Sequence, residues 1–341
     1  MEQSASRVLM IRPAAFGFNP ATAATNVFQS PSDREDLVEG ARREFDRLVR
    51  EIRDAGIDVL VADDGPDPPK PDALFPNNWI STHAEGSVVL YPLEAVTRRP
   101  ERRGDIVLML KARFQVRRVI DLSGFEARSG FLEGTGSLVL DRVGRRAYAA
   151  RSTRTGPDLV RHWGLLMGYE TWCFETAPVR GLSPYHTNVL MAIGTQWAVV
   201  GSPLIRDPAM RKQILMQLRK DDRAVVELTP GQIENFAANL LELETPAGPV
   251  IVGSDRAWSA FAPDQLRRLE SCARILSVPL EVIESVGGGS ARCMIAELFL
   301  PLGPDPGRSS LGADPGPSRS ERAASGQAGG AVPGPLSSSS R

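Results

Sequence analysis

The chain has 341 residues, 42% of them hydrophobic, with 40 basic and 41 acidic side chains and a formal net charge of −1. There is no basic excess to suggest nucleic acid, and no run of about 18 apolar residues to suggest a membrane span. The opening MEQSASRVLMIRP lacks the apolar core of a secretory signal, so we expect none. Three cysteines (Cys173, Cys272 and Cys293) are too scattered for a disulfide framework or a CxxC zinc site, which favours a reducing cytoplasm.

Short β-type runs alternate with helical runs along most of the chain. A strand is predicted at 8–13, then an amphipathic helix over 33–55 with apolar residues three and four apart, then a strand at 57–63. Further strands are predicted at 87–93, 116–122, 137–141, 188–194 and 197–203. Further helices are predicted at 101–114, 156–167, 207–219, 230–241 and 263–274. The mixture indicates one α/β domain over 1–303, and no repeat is visible in the residues themselves.

The last segment, 304–341, differs in composition from everything before it. Gly, Pro, Ser and Ala dominate it, and it contains no aromatic residue. Such a segment buries too little apolar surface to offset the entropy lost on ordering, so we expect a disordered tail.

Two predicted loops carry unusual chemistry. The segment 72–82 reads DALFPNNWIST, with two adjacent Asn after a Pro, and 287–294 reads GGGSARCM, with three glycines just before a cysteine. Glycines allow the main chain to approach a ligand closely. Neither loop fits GxxxxGK[ST] or GxGxxG, so no nucleotide site is predicted.

Cys293 is the candidate nucleophile among the three cysteines. It alone lies in a glycine-rich loop, beside a cation, Arg292, which would favour the thiolate. Cys173 and Cys272 lie in apolar periodic segments, where a cysteine usually acts as a small buried hydrophobe.

His186 and Glu133 are candidates to assist the nucleophile. His186 stands in SPYHTNVLM at a predicted junction of loop and strand, where a side chain can point into a cleft. His162 lies on a predicted helix and His83 in a loop, where surface or packing roles are commoner. Glu133, flanked by glycine in FLEGTGS, either caps a turn or orients a base. A Cys, a His and a carboxylate form the general nucleophile, base and orienting group of covalent catalysis.

Seven motifs in order resemble those of the amidinotransferase, or guanidino-modifying, superfamily. They are FPNNW (75–79), ERRGD (101–105), FLEGTGS (131–137), AARSTRT (149–155), YHTNV (185–189), ENFAANLLEL (234–243) and GGGSARCM (287–294), and the opening MIRPAAFGFNP (10–20) also fits. The resemblance covers about residues 8 to 302, and the branch that it resembles most is that of the citrulline ureidases. It implies the pentein fold, a five-bladed α/β propeller of pseudo-fivefold ββαβ units, although a flavodoxin-like or other doubly wound sheet would give a similar rhythm of elements.

The resemblance also implies a role for each matching residue. Cys293 corresponds to the nucleophile, His186 to the general acid and base, and Glu133 to the carboxylate that holds the histidine. Asp72 would contact the substrate α-amino group, and Arg102 and Arg154 the α-carboxylate. The remaining two, Asn78 and Asn188, fall where arginine-processing relatives carry carboxylates that bind the guanidinium.

The two asparagines predict a neutral reacting group. A guanidinium has only donors and pairs naturally with carboxylates, whereas a ureido group has an acceptor beside its donors and matches an amide. Asn78 and Asn188 therefore favour citrulline, hydrolysed to ornithine, ammonia and carbon dioxide through a carbamoyl-Cys293 intermediate. The alternative for both is that they form or cap turns.

Other functions remain open at this stage. An arginine or methylarginine deiminase-type hydrolase and an amidinotransferase use the same nucleophile, and a catalytically silent propeller would only bind arginine or citrulline. Retention of Cys293, His186 and Glu133 argues against the silent protein. The expected partner is a small-molecule substrate, with no metal or organic cofactor, no nucleic acid and no membrane, and a homo-oligomer is compatible with these features.

Overall fold

Five small sheets of the same design make up the described part of the chain. The computed structural model describes residues 2–220 and 222–303, so the tail predicted at 304–341 lies outside it. The strands are β1 (Arg7–Arg12), β2 (Asp58–Asp63), β3 (Ile80–Thr82), β4 (Ser87–Leu90), β5 (Arg118–Asp121), β6 (Val139–Asp141), β7 (Arg146–Ala150), β8 (Glu170–Phe174), β9 (Met191–Ile193), β10 (Trp197–Val200), β11 (Ala224–Glu227), β12 (Leu241–Leu243), β13 (Val250–Ser254), β14 (Arg274–Val278) and β15 (Ala296–Glu297). The prediction of an α/β fold is confirmed.

Each sheet has three strands joined in the same way. Their orders are β15-β1-β2, β3-β4-β5, β6-β7-β8, β11-β10-β9 and β12-β13-β14. The middle strand of each sheet is antiparallel to one neighbour and parallel to the strand that follows it in the chain. A crossover helix connects each parallel pair, as parallel pairing requires. The repeat is therefore a repeat of connections, which explains why the residues themselves do not show it.

The helices lie mostly where the sequence predicts them. They are α1 (Pro20–Ala23), α2 (Leu37–Asp54), α3 (Gly104–Arg113), α4 (Gly134–Ser137), α5 (Pro157–Met167), α6 (Pro208–Lys220), α7 (Pro230–Ile233), α8 (Asp255–Ser259) and α9 (Pro263–Glu270). Helix α2 buries Ala41, Phe45, Leu48 and Ile52 on one face, which is the face that the apolar spacing predicts. Phe45, Leu48 and Ile52 each contribute about 1.5–3 kcal/mol on burial.

The helix predicted over 230–241 is wrong beyond its first turn. A capping box between Thr229 and Gln232 starts α7, but the helix ends at Ile233. Phe236 then adopts a left-handed conformation with φ of 59°, which a regular helix does not contain. The chain leaves the helical path at this residue and continues into β12, which begins at Leu241.

Within residues 2–220 and 222–303, no helix is long and apolar enough to cross a bilayer.

A buried carboxylate joins two neighbouring sheets. Glu242 of β12 accepts hydrogen bonds from Trp197 Nε1 of β10 (2.6 Å), from the backbone and hydroxyl of Thr195 (2.8 and 2.6 Å) and from Ser4 Oγ (2.5 Å). A charged acceptor with four donors is well compensated for its burial.

We predict that Glu242→Ala lowers the free energy of unfolding by about 2–4 kcal/mol, because several buried donors lose their acceptor together. Urea denaturation followed by circular dichroism measures the change. The matched control is Glu244→Ala, two residues along the same segment and exposed, which should be nearly neutral. Equal stability of the two variants would contradict the role of Glu242.

Candidate active site

The candidate site forms where five short turns meet. Each turn immediately precedes the strand that is antiparallel to the middle strand of its sheet. The turns are Pro76–Asn78 before β3, Gly134–Ser137 before β6, Thr187–Val189 before β9, 236–240 before β12 and Ala291–Met294 before β15. The turn of α4 packs against both the Pro76–Asn78 and the Thr187–Val189 turns. A Cβ at Gly136 would lie 2.5 Å from Asn78 Nδ2 and 2.8 Å from His186 Nδ1, so only glycine permits this approach.

Cys293 is buried, with 3% of its surface exposed, at the end of the glycine loop. Its sulfur accepts two amide hydrogen bonds, from Asn239 Nδ2 at 3.2 Å and from Asn188 Nδ2 at 3.3 Å. Gly289 leaves room for Phe75, because a Cβ there would lie 2.8 Å from the ring. The glycines therefore serve close packing around the thiol.

Arg292 is close enough to Cys293 for their charges to interact, but it does not line the cavity that contains the thiol. Its guanidinium donates to Glu297 Oε2 at 3.0 Å and to the carbonyl of Ile295. Arg292 and Cys293 are adjacent in the sequence, but successive side chains of the Ala291–Met294 turn point in different directions.

His186 and Glu133 form a buried pair. His186 Nε2 lies 2.8 Å from Glu133 Oε2, and both side chains are almost completely buried. Burial lowers the pKa of His186 to about 4 although Glu133 opposes the shift, so the imidazole is neutral at neutral pH. Burial alone would raise the pKa of Glu133, but Arg154, His186 and Arg98 outweigh it and lower the pKa to about 2. The pair is thus an ionised carboxylate that orients a neutral imidazole.

Three charged side chains, Asp72, Arg98 and Arg154, line the cavity that contains Cys293 and His186. Arg98 contacts Asp72 at 3.6 Å and Glu133 at 3.7 Å, and it makes a bidentate pair with Glu101 at 2.8 and 2.9 Å. Arg154 lies 3.7 Å from Glu133. Burial raises the pKa of Glu101 to about 7, while Arg98 opposes the shift.

Arg98, and not the Arg102 that the sequence suggested, lines the cavity. Arg102 pairs with Glu126 at 2.5 and 3.1 Å and does not line the cavity. The run TRRPERRGD contains four arginines with nothing local to separate them. The short helix Val96–Glu101 turns Arg98 inward, and Arg102 follows it on another side.

Asn78 lines the cavity, whereas Asn188 does not. Asn78 Oδ1 accepts from Arg98 Nη1 at 2.9 Å, and its Nδ2 donates to Asn77 Oδ1 at 3.1 Å. Asn188 lies behind Cys293, against the sulfur, and its Oδ1 has no hydrogen-bond partner. The expectation that both asparagines face the substrate is therefore corrected for Asn188.

The N-terminal segment covers one side of the cavity, which the sequence did not indicate. Asn26 and Gln29 donate to the carbonyl of Gly287 at 3.4 and 3.1 Å. Arg154 donates to the carbonyl of Thr22 at 3.0 Å. The cavity is narrow, and the space inside it that is open to the centre of a water-sized sphere is only about 10 Å³.

The remaining histidines and cysteines do not line this cavity. His83 is buried, in contrast to the solvated residue expected of a loop, and bonds to Ser81 Oγ at 3.0 Å. His162 is on the surface of α5. Cys173 and Cys272 are partly exposed, and burial raises the pKa of both thiols. Within the described ranges, no group of three or more His, Cys, Asp or Glu side chains is placed to hold a metal ion.

Solved structures share this fold. The N-terminal domain of ArgZ, an arginine dihydrolase from the Ornithine-Ammonia Cycle in Cyanobacteria solved as a Cys-to-Ser mutant bound to substrate, aligns with a TM-score of 0.68 at 18% identity over 86% of this chain and 98% of that one. Unliganded AgrE aligns with a TM-score of 0.68 at 17% identity over 88% of this chain and 40% of its own. A His-to-Gly mutant of dimethylarginine dimethylaminohydrolase, as its adduct with S-methyl-L-thiocitrulline, gives 0.60 at 13% over 86% of this chain and 100% of its own.

A family model establishes the relationship that these likenesses of fold suggest. No curated protein matches the chain. The model described as "N,N dimethylarginine dimethylhydrolase, eukaryotic" matches residues 12–300, which span nearly all of the described fold. The chain belongs to this family, within the guanidino-modifying superfamily that its motifs resemble.

Proposed function

We propose that the protein is a cysteine-dependent hydrolase that cleaves a C–N bond in the terminal guanidino or ureido group of an arginine-type amino acid. One observation carries the proposal. A thiol and an imidazole (Cys293 and His186) share one small cavity with a second set of charged groups, Asp72, Arg98 and Arg154. The buried carboxylate of Glu133, outside the cavity lining, orients that imidazole at 2.8 Å. The matching family and the similar structures support the same class of chemistry.

The second set of charges suits the amino acid end of such a substrate. Asp72 offers a carboxylate for an α-ammonium group, and Arg98 and Arg154 offer guanidinium groups for an α-carboxylate. The three are fixed by neighbours, since Asn19 Nδ2 donates to Asp72 at 2.7 Å and Arg154 is held by Thr25 Oγ1 at 2.6 Å. A preformed site of this kind loses little entropy on binding.

The reaction follows from the groups at the thiol end. His186 takes the proton of the Cys293 thiol, and the thiolate attacks the ureido or guanidino carbon. The imidazolium returns that proton to the departing nitrogen as the C–N bond breaks, and a carbamoyl or amidino group remains on the sulfur. His186, neutral again, takes a proton from water while the water oxygen attacks the carbon of that group, and the C–S bond breaks to release it. Glu133 keeps the imidazole in one orientation through both steps.

Citrulline is the substrate that Asn78 favours. An amide at this position matches a neutral ureido group, whereas a guanidinium would lack a free countercharge there. Asn188 no longer supports this choice, because its amide faces the sulfur. Asn78 alone supports citrulline over arginine.

Arginine is the second candidate, favoured by a different observation. The similar structures include an arginine dihydrolase bound to its substrate.

We also infer that the five sheets close into a propeller. The last strand, β15, pairs with β1, so the two ends of the described fold complete one sheet together. A bridge between Ala5 and Leu243 and the Glu242 bonds connect further neighbouring sheets. Closure would place the five turns around one axis.

The substrate preference is predicted to follow the charge at position 78. Wild type should have a higher kcat/KM for citrulline than for arginine, since one charge-assisted bond of about 1.5–3 kcal/mol corresponds to a factor of about 10–150. Asn78→Asp should shift the citrulline-to-arginine ratio toward arginine by about tenfold or more. Product identification by mass accompanies the kinetics.

Two controls complete that experiment. Asn235→Asp makes the same change outside the cavity and should leave the ratio unchanged, and Cys293→Ser should lose turnover of both substrates. A wild-type ratio below one would make arginine the substrate, and hydrolysis of neither compound would contradict the proposed function.

A second prediction concerns the charge of His186. Because burial lowers its pKa to about 4, the imidazole of the ligand-free enzyme should stay neutral as the pH falls from neutrality until close to that value. Its folded-state pKa is depressed, so the stability that depends on the neutral imidazole is present above the ordinary histidine pKa and is lost as the pH falls from there to about 4. Titration of the His186 ring protons by NMR measures the midpoint, with His186→Asn for assignment. A midpoint at or above the ordinary histidine value would contradict the description.

A further inference from the structure

Asn239 touches the reacting atom of the proposed mechanism. Its Nδ2 lies 3.2 Å from Cys293 Sγ, and its side chain has no exposed surface. It lies in ENFAANLLEL, a motif that suggests no chemistry of its own. The mechanism above does not use it.

The contacts of Asn239 leave one orientation for its amide. The backbone N–H of Arg292 can only donate, and it donates to Asn239 Oδ1 at 3.0 Å. Nδ2 must therefore face the other way, where its two hydrogens meet the carbonyl of Asn188 at 3.2 Å and the sulfur of Cys293. The group presented to the sulfur is a donor, and a donor stabilises a thiolate more than a neutral thiol.

The position of Asn239 in the repeat points the same way. Four of the five central turns, or the residues directly flanking them, contribute a group already assigned here, namely Asn78, Glu133, His186 and Cys293. Asn239 is the contribution of the fifth turn, at 236–240. It also connects the nucleophile turn to the His186 turn through Arg292 and Asn188.

We propose that Asn239 is a catalytic residue whose amide N–H stabilises the thiolate of Cys293 and aims its sulfur at the substrate. The sequence assigned the stabilisation of this thiolate to the neighbouring Arg292. Asn188 supplies a second N–H to the same sulfur. This inference depends on the proposed role of Cys293 as the nucleophile, and it does not depend on which substrate is used.

Thiol alkylation tests the proposal without a substrate. The rate of iodoacetamide modification is measured against pH by mass spectrometry of the peptide that contains Cys293, in the full-length protein. Asn239→Asp keeps the acceptor for Arg292 N–H but places a carboxylate oxygen against the sulfur. It should disfavour the thiolate, so that alkylation at neutral pH slows about tenfold. Asn239→Ala, which only removes the donor, should shift the profile in the same direction by less.

The matched control is Asn235→Asp, which makes the same substitution four residues earlier, where the side chain bonds to Gly231 and Arg256 outside the cavity. It should leave the alkylation profile unchanged. Folded Asn239→Asp and Asn239→Ala proteins with the wild-type profile would overturn the proposal. If wild-type Cys293 is alkylated no faster than Cys272, both this inference and the role of Cys293 fail, whereas a change of substrate preference alone leaves the inference intact.

Discussion

The balance of buried charge at the meeting point of the five turns is the constraint on which the site depends. Glu133 is ionised without exposed surface because Arg154, Arg98 and His186 surround it. Removing one member of such a cluster leaves the others uncompensated, at a cost of several kcal/mol. The cluster therefore holds its groups in place before any substrate arrives, and within it Glu133 orients His186, which burial keeps neutral.

The repeated connection of the sheets explains how distant residues reach that point. In every sheet a turn precedes the strand that is antiparallel to the middle strand, and residues separated by more than two hundred positions, such as Asn78 and Cys293, line one cavity. Two of the turns supply an amide, and the other three supply a carboxylate, an imidazole and a thiol. Rigid, short turns suit this purpose because catalysis requires reacting groups to be fixed in position.

The sequence predicted what a motif can carry and missed what only the three-dimensional arrangement decides. Cys293, His186 and Glu133 lie in motifs that can be recognised in the sequence, and the structure brings His186 and Glu133 into contact. Arg98 could not be separated from Arg102 because a short helix, rather than composition, decides which arginine turns inward. The sequence did not indicate a turn at Asn239 because the apolar spacing of 230–241 is that of a helix. The left-handed conformation of Phe236, which ends the helical path, cannot be recognised from that spacing.

Detection of a covalent intermediate on Cys293 tests the central claim most directly. Enzyme quenched by acid during turnover of citrulline or arginine should carry a carbamoyl or amidino group on the peptide that contains Cys293, and the adduct should be absent without substrate. Peptide mass spectrometry identifies both the group and the residue. Turnover without an adduct in rapid-quench samples, or an adduct on Cys173 or Cys272 instead, would contradict hydrolysis through Cys293.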